Sequence, residues 1–298
     1  MKKLVVAVVG MAVLALQAGV SAWGMDVHRL ITRRAIEGLP PDVKPFFTAR
    51  ADFIVEHSVD PDLWRVPDLS GELGKEDPNH FLDFDGFGEP APFTNVPRDW
   101  KAVVQKYGAD LANKNGRLPW RAEEIYNKLV TAFTDLQKSP YAADNIRYLS
   151  AVMAHYVEDA HQPFHAVSNY DGQLTNQRGI HARFETELVL RNKAALKLTP
   201  VVIAPIPDIK AFFFDALLAD QPVAAAVLAA DKKAATGREF YDDAYFTELA
   251  KQGALAAAER RFSDSASAVA SVWMAAWQKA GRPTLPVDGP RTPARIRK

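Results

Sequence analysis

Apolar side chains recur three and four residues apart along most of this chain, and no other feature of the sequence limits the fold as strongly. The pattern occupies residues 121–137, 144–162, 181–194 and 242–280. Residues with this spacing share one face of an α-helix. Runs that alternate apolar and polar residues, as half-buried strands do, are scarce. The sequence therefore predicts an all-α fold built as a single multi-helix domain.

Length, composition and charge narrow the possibilities further. The chain has 298 residues, of which 48% are hydrophobic, so it can bury a sizeable core. No shift in composition divides it, and we expect one domain over residues 23–281 followed by a flexible basic tail over residues 282–298. Lysine and arginine together number 36, as do aspartate and glutamate. This balance gives no strongly basic surface for nucleic acid, and charge alone names no partner.

The first 22 residues are typical of a secretory signal peptide. A basic start, MKK, precedes the apolar run LVVAVVGMAVLAL, and small residues end the segment at Ser21 and Ala22. The run is shorter than the roughly 20 residues that span a bilayer. We therefore predict cleavage after Ala22, a secreted or periplasmic location, and no stable membrane span afterwards. The chain contains no cysteine, so an exported form has no disulfides, and metal ions are the obvious candidate for cross-linking.

The stretch HYVEDAHQPFH, residues 155–165, holds three of the seven histidines. On a helix that Pro163 should end, His155 and Asp159 lie four residues apart and share a face. His161 is turned away from that face. His165 follows the break, where a bend could bring it back towards Asp159. One imidazole and one carboxylate on the same face can hold one metal ion.

A second pair of the same form, His181 and Glu185, occurs in GIHARFE. Each pair alone is compatible with a buried histidine that a neighbouring acid satisfies. Two such pairs with His165 between them favour a metal site. Imidazole and carboxylate without thiolate suit Zn²⁺ and leave iron and manganese possible.

Further ligand types occur upstream. The predicted mature chain begins at Trp23, five residues before His28, and a free α-amino group beside a backbone carbonyl can chelate a metal. His28 alone would be an ordinary position on the first helix. EHSVDPDLWR supplies Asp60 and Asp62, and EDPNHFLDFD supplies His80.

Taken together, WGMDVH, PDLWR, NHFLD, HYVEDAHQPFH and HARFE resemble the superfamily of secreted zinc-dependent phospholipases C and S1/P1-type nucleases. The resemblance runs in order from Trp23 to Glu185. It implies a mostly helical fold with three zinc ions in one cleft and hydrolysis of phosphodiester bonds. The implied ligands are Asp62, His80, His155 and Asp159 for one ion; the Trp23 amine and carbonyl, His28 and a bridging Asp159 for the second; and His165, His181 and Glu185 for the third.

The resemblance also implies how the metals would act. Zinc ions that share a water lower its pKa towards about 7, and we expect Asp62, Asp159 and Arg65 to be the catalytic residues. Asp62 is preferred to Asp60 because PDLWR places a basic residue three positions after the acid. Arg65 would then contact phosphate, although an ordinary surface arginine fits its position equally well.

The sequence divides on substrate class. Glu185 and the HAVSN sequence from His165 are more similar to the phospholipase branch, whereas the Trp23–His28 spacing and PDLWR are more similar to the nuclease branch. In a nuclease Phe81 would stack on a base and Asp83 would accept its hydrogen bonds; otherwise Phe81 belongs to the core. No aromatic box for choline is evident.

The preferred prediction is a phospholipase C-like enzyme acting on a phospholipid headgroup. The alternative is a single-strand nuclease with 3′-nucleotidase activity, and a zinc-binding envelope protein without hydrolytic activity stays open. The sequence assigns no oligomeric state.

Overall fold

The computed structural model describes residues 23–65 and 75–287. These residues are helical and irregular, with no strand among them, so the predicted all-α class is confirmed. The helices are α1 (Met25–Glu37), α2 (Lys44–Thr48), α3 (Ala51–Glu56), α4 (Asp60–Leu63), α5 (Trp100–Tyr107), α6 (Ala109–Lys114), α7 (Leu118–Thr134), α8 (Ala142–Asp159), α9 (Ile180–Ala182), α10 (Val189–Arg191), α11 (Ile209–Ala234), α12 (Asp243–Lys251) and α13 (Ala254–Lys279).

Short irregular helices connect several of these elements. Turns of 3₁₀ helix cover His57–Val59, Asp77–Asn79, Phe84–Phe87, Pro163–His165 and Lys193–Ala195, and a π-helical turn, Arg183–Leu188, joins α9 to α10. The predicted signal peptide, residues 1–22, lies outside the described residues, as do residues 288–298 of the predicted tail. Both assignments stay predictions.

Helix α8 lies at the centre of the domain. It packs against α7 and α13, and every residue from 150 to 166 is buried. The Trp273 indole of α13 donates to the Ser150 carbonyl at 3.0 Å and stacks on Phe47 with ring centroids 4.7 Å apart. A second apolar cluster lies around Trp23, Phe164 and Phe184. Because this part of α8 lies inside the core, its His155, Glu158 and Asp159 side chains are buried there.

The end of α8 determines where the next histidine lies. The helix ends at Asp159, and the Gln162 side chain accepts a hydrogen bond from the Phe164 backbone N–H at 2.6 Å. Pro163 then opens a 3₁₀ turn that carries His165, because proline cannot donate the backbone bond that would continue the α-helix. This short turn packs against α11.

The long apolar pattern near the C-terminus forms two helices. Gly253 separates α12 from α13 with φ of +99°, a backbone conformation that side chains other than glycine rarely adopt. Along α13, Ser263, Ser267 and Ser271 accept hydrogen bonds from backbone N–H groups of an irregular segment at residues 199–204, at 3.0–3.1 Å. Serines four residues apart therefore hold an irregular segment against a helix.

Helix α11 is long and apolar enough to cross a membrane by length and composition, with a mean hydropathy of 1.5. The core helix of a soluble protein passes the same test, and α11 packs against α7, α12 and α13. Its Asp220 is fully buried and pairs with Arg261. The helix is weak evidence for a membrane span.

Candidate metal centre

Asp159 lies at the centre of a group of four imidazoles. Its Oδ2 is 2.9 Å from His80 Nδ1 and 3.2 Å from His155 Nε2. Its Oδ1 is 3.7 Å from His28 Nε2 and 3.6 Å from His165 Nδ1. All five side chains are buried. One carboxylate thus presents each of its oxygens to a different pair of imidazoles, which is what a bridging ligand requires.

Asp62 joins this group from helix α4. Its Oδ1 lies 3.8 Å from His80 Nδ1 and 3.9 Å from His155 Nε2. Asp60 instead pairs with His57 Nδ1 at 2.9 Å. The fold therefore brings Asp62, rather than Asp60, to His80 and His155.

A separate trio forms where the chain returns from the Pro163 turn. His181 Nε2 lies 3.0 Å from Glu185 Oε2, which also accepts a hydrogen bond from Gln162 Nε2 at 2.8 Å. The rings of His165 and His181 lie 5.2 Å apart, and ligand atoms of His165, His181 and Glu185 all lie within 4.8 Å of one another. Two other groups meet the same criterion: His28, Asp62 and His155; and His80, His155 and Asp159.

Hydrogen bonds on the far side of three imidazoles fix their orientation. His155 Nδ1 donates to the Ser58 carbonyl at 2.8 Å, and His181 Nδ1 to the Tyr170 carbonyl at 3.0 Å. His28 Nδ1 contacts the Glu158 carboxylate. A proton on Nδ1 leaves Nε2 with its lone pair, and each Nε2 faces the site, as metal-binding histidines require.

Sequence reasoning did not assign these three partners. Ser58 and Tyr170 act through backbone carbonyls, which any residue could supply, so no sequence signal could have found them. Glu158 offered one: it is a second acid directly beside a proposed ligand, on a helix whose residues from 151 to 157 are apolar apart from His155.

Burial and mutual charge set the protonation of the group. Burial lowers the pKa of His28, His80 and His165 well below the usual histidine value, and their neighbouring imidazoles add to the effect. Burial raises the pKa of Asp159 to about 7 against the opposing influence of His155. Burial also lowers the pKa of His155, but Asp159 and Asp62 outweigh it and raise that pKa to about 9. Most of the imidazoles are therefore neutral near pH 7, the form that binds metals.

Unpaired atoms test whether these residues suit a cation. Asp159 Oδ1, His28 Nε2 and His165 Nδ1 are buried without a hydrogen-bond partner. Buried polar atoms without partners are costly and rare in folded proteins. Imidazole nitrogens and carboxylate oxygens that converge in this way fit divalent metal ions, and their chemistry suits zinc. The three groups could hold metal ions.

Trp23 lies beside this group as a fully buried residue. Its indole Nε1 donates to the Glu158 carbonyl at 2.9 Å, and its ring centroid lies 6.2 Å from that of Phe184. The fold thus brings Trp23 to the same helix turn that holds Asp159. Its α-amino group as a ligand stays a prediction.

Arg65 lies at the edge of the site. Its Nη1 is 3.4 Å from Asp62 Oδ1, and its Nε donates to Asp77 Oδ1 at 2.7 Å. The side chain is partly exposed at 23%. A guanidinium beside a proposed ligand is in place to meet a phosphate, and its pairing with two acids also fits a structural role.

Phe81 and Asp83 lie on an irregular segment between the 3₁₀ turns Asp77–Asn79 and Phe84–Phe87. Leu82 N–H donates to the His165 carbonyl at 2.9 Å, which ties this segment to the ligand turn. Phe81 is only partly buried, unlike a core residue. Asp83 is buried with Oδ1 unpaired, and burial, then Asp85, raises its pKa well above the usual range.

The two remaining histidines lie apart from the ligand groups. His57 pairs with Asp60. His161 Nδ1 donates to the Val157 carbonyl at 2.7 Å, and its ring lies 6.0 Å from that of Phe212. The predicted orientation of His161, away from the face of His155 and Asp159, agrees with these contacts.

Comparison with models of known protein families and with curated proteins gives no match for this chain. The resemblance to the phospholipase C and S1/P1 nuclease superfamily therefore rests on the motifs alone. The geometry of the buried ligand groups is independent of that resemblance.

Proposed function

We propose that this protein is a zinc-dependent phosphodiesterase with three metal ions in one buried cleft. The observation that carries the proposal is the position of Asp159, whose two oxygens each lie within 4 Å of two different imidazoles. Zinc held by these residues would supply an acidified water and positive charge against the phosphate oxygens. Water activation and charge neutralisation are the two requirements of phosphodiester hydrolysis.

The chain's own residues would hold and orient the reactants. Asp62, His80, His155 and Asp159 would form one site, Trp23, His28 and the shared Asp159 a second, and His165, His181 and Glu185 the third. Arg65, at the edge of the first site, would bind a phosphate oxygen as a fixed positive charge. The buried Asp159 would hold its place between two sites because every residue of helix α8 from 150 to 159 is buried.

Two substrate classes fit this chemistry. Glu185 and HAVSN favour a phospholipid headgroup, as in phospholipase C. A specific observation favours a nucleotide: Asp83 Oδ1 and Asn115 Nδ2 are both buried without a partner, and the Asp83 N–H donates to the Asn115 carbonyl at 2.7 Å. An unpaired acceptor and an unpaired donor near Phe81 match the edge of a nucleobase, whereas a choline headgroup has no N–H group for Asp83. We therefore retain the S1/P1-type nuclease, with 3′-nucleotidase activity, as the second candidate.

The first experiment measures metal content and hydrolysis in the mature form, residues 23–298. We expect close to three zinc ions per chain by elemental analysis, and hydrolysis of bis(p-nitrophenyl) phosphate that chelation abolishes and zinc restores. One ion or fewer, after preparation without chelator, would contradict the three-metal proposal. Bound zinc without hydrolysis would support the non-catalytic envelope protein.

Substrate class needs a second assay with the same preparation. Phosphatidylcholine vesicles and single-stranded DNA are compared at equal phosphodiester concentration. The matched variant is Asp83→Asn, in which an amide replaces the carboxyl group that would accept hydrogen bonds from a base. We expect it to slow DNA cleavage about tenfold or more while leaving lipid hydrolysis nearly unchanged. Equal loss on both substrates would remove the base-binding role of Asp83.

A chain with one methionine before Trp23 tests the amine ligand. The extension converts the amine to an amide, a poor zinc ligand, and leaves all side-chain ligands in place. We expect about two bound zinc ions and much slower hydrolysis. Unchanged metal content and rate would show that the N-terminus is no ligand.

A further inference from the structure

Glu158 is a fully buried carboxylate that precedes Asp159 in the chain and belongs to no proposed ligand set. Its Oε2 contacts His28 Nδ1. Its Oε1 accepts a hydrogen bond from Thr32 Oγ1 at 2.6 Å. Its backbone carbonyl accepts the Trp23 indole N–H at 2.9 Å. One residue of helix α8 therefore contacts both ends of residues 23–28.

The charge environment of Glu158 is unusual. Among residues 23–65 and 75–287, no lysine or arginine forms an ion pair with it, and its contact with a titratable side chain is the one with His28. The adjacent Asp159 adds negative charge. An acid with this burial and no basic partner needs an explanation, and the His28 imidazole, with its other nitrogen facing Asp159, offers one.

His28 differs from the other oriented histidines in the nature of its partner. His155 and His181 donate to neutral backbone carbonyls, whereas His28 meets a carboxylate. A carboxylate holds the proton on Nδ1 more strongly and makes Nε2 a better electron donor to a metal. It thereby orients the ring and strengthens the ligand with one contact.

The chain before His28 has less support from its own helix than the chain around His155 does. His155 lies within an 18-residue helix, whereas Trp23 and Gly24 precede the first turn of α1. Gly24 lies against the π-helical turn so closely that a Cβ there would meet Thr186 Oγ1 at 2.2 Å. Residues 23–28 are held between this turn on one side and Glu158 on the other.

We propose that Glu158 is the positioning residue that docks residues 23–28 as a metal-binding arm, through the Trp23 indole on its carbonyl and the His28 imidazole on its carboxylate. This inference rests on the proposed metal function. It adds a residue outside the ligand sets that controls one ion selectively: the ion held by the arm.

The test compares Glu158→Gln with the unaltered mature protein. Glutamine has the same shape and leaves the Trp23 contact to the backbone carbonyl in place, but it puts an amide in place of the carboxyl group opposite His28. We expect the affinity for one of three zinc ions to fall about 10–100-fold, with two ions retained, and hydrolysis to recover as free zinc is raised. Thr32→Val, which removes only the hydrogen bond to Oε1, is the matched control and should have a smaller effect in the same direction.

A second readout uses the zinc-free protein. In ¹H–¹⁵N spectra of the histidine side chains, the His28 Nδ1–H signal should lie far downfield in the unaltered protein and shift upfield in Glu158→Gln, while the His155 signal stays in place. A general folding defect would move both signals and would not be rescued by zinc.

Three results separate the possibilities. If Glu158→Gln holds three ions with unchanged zinc dependence, Glu158 does not position the arm. If it loses all three ions together with helical circular dichroism, its role is to support the core, and the inference is also wrong. If the unaltered protein binds no zinc, the proposed function fails before the variant is compared.

Discussion

Asp159 and Asp220 are both fully buried aspartates, and burial raises the pKa of each to about 7. Each also has one oxygen without a hydrogen-bond partner. Their counter-charges differ. Asp159 lies among four imidazoles, most of them neutral, while Asp220 Oδ1 accepts a hydrogen bond from Arg261 Nη1 at 2.7 Å.

The difference shows which feature of a buried acid points to a metal. Burial and a raised pKa are shared, so neither distinguishes the two sites. Asp220 has a permanent cation in Arg261, which is always protonated. Around Asp159 only His155 has a raised pKa, and the low pKa values of His28, His80 and His165 leave them neutral. Neutral imidazoles and a carboxylate are both electron donors, and a divalent ion between them can satisfy both kinds of ligand together. The type of partner, rather than burial, separates a metal site from a structural ion pair.

The largest expected effect comes from replacing each aspartate with asparagine. Asp159→Asn should lose the ions that share this carboxylate and slow hydrolysis at least about 1000-fold, or about 4 kcal/mol in the activation barrier. Asp220→Asn should keep three ions and a rate within a few-fold, because Asp220 pairs with Arg261 and belongs to none of the proposed metal sites. Metal analysis and initial rates check both variants, and similar losses in the two would remove the distinction.

Chelation should separate the same variants by stability. Removing an ion bound at a hundredfold excess over its Kd costs about 2.7 kcal/mol, which corresponds to a fall in Tm of roughly 5–10 °C for a domain of this size. We expect this fall in the unaltered protein and in Asp220→Asn, and a much smaller one in Asp159→Asn. Calorimetry with and without chelator measures it. A full chelator effect in Asp159→Asn would place the stabilising ion elsewhere.

The contribution of Asp220 to the free energy of unfolding should depend on pH. Its pKa is about 7 when folded, against an ordinary aspartate value of 3.8, so the folded state retains a proton that the unfolded state loses. The resulting stability is fully present below about pH 4 and is lost as the pH rises through about 7. Relative to Asp220→Asn, the unaltered protein should lose about 2–4 kcal/mol over this range. Urea unfolding of both proteins in chelator, from pH 4 to 8, checks the difference, and a constant difference would contradict the raised pKa.

His161 provides the smallest expected effect and a control on helix α8. His161→Ala removes the hydrogen bond to the Val157 carbonyl and the contact with Phe212, at a cost of about 1–2 kcal/mol in unfolding free energy. Metal content and hydrolysis rate should stay within about twofold. A loss of activity comparable to that of Asp159→Asn would mean that the metal-facing side of the helix has been misassigned.

Local spacing made part of the site predictable. His155 and Asp159 are four residues apart, and the regular rise and rotation of a helix place such a pair together whatever the rest of the chain does. His181 and Glu185 have the same spacing and also meet, across the start of the π-helical turn Arg183–Leu188. Pro163 acts just as locally, since the missing N–H ends the helix wherever it falls. These predictions needed no knowledge of the distant chain, and the contacts agree with them.

Partners distant in sequence could not be predicted in this way. Asp60 and Asp62 are two residues apart in one short segment, and which of them meets His80 and His155 depends on how that segment packs on α8. Glu158 meets His28 across 130 positions, and Arg261 meets Asp220 across 41. Ser58 orients His155 through a backbone carbonyl that any residue could supply.

The sequence by itself determined the helical class, the face of α8 that carries His155 and Asp159, and the residue types that can bind a metal, because helix periodicity and side-chain chemistry are properties of a few consecutive residues. Only the tertiary structure decided that Asp159 stands between two pairs of imidazoles and that Asp220 stands beside a guanidinium. The two acids are the same residue type, and only Asp159 has a histidine four positions away. Their environments are set by which helices the core brings together, a choice made by apolar packing over the whole domain.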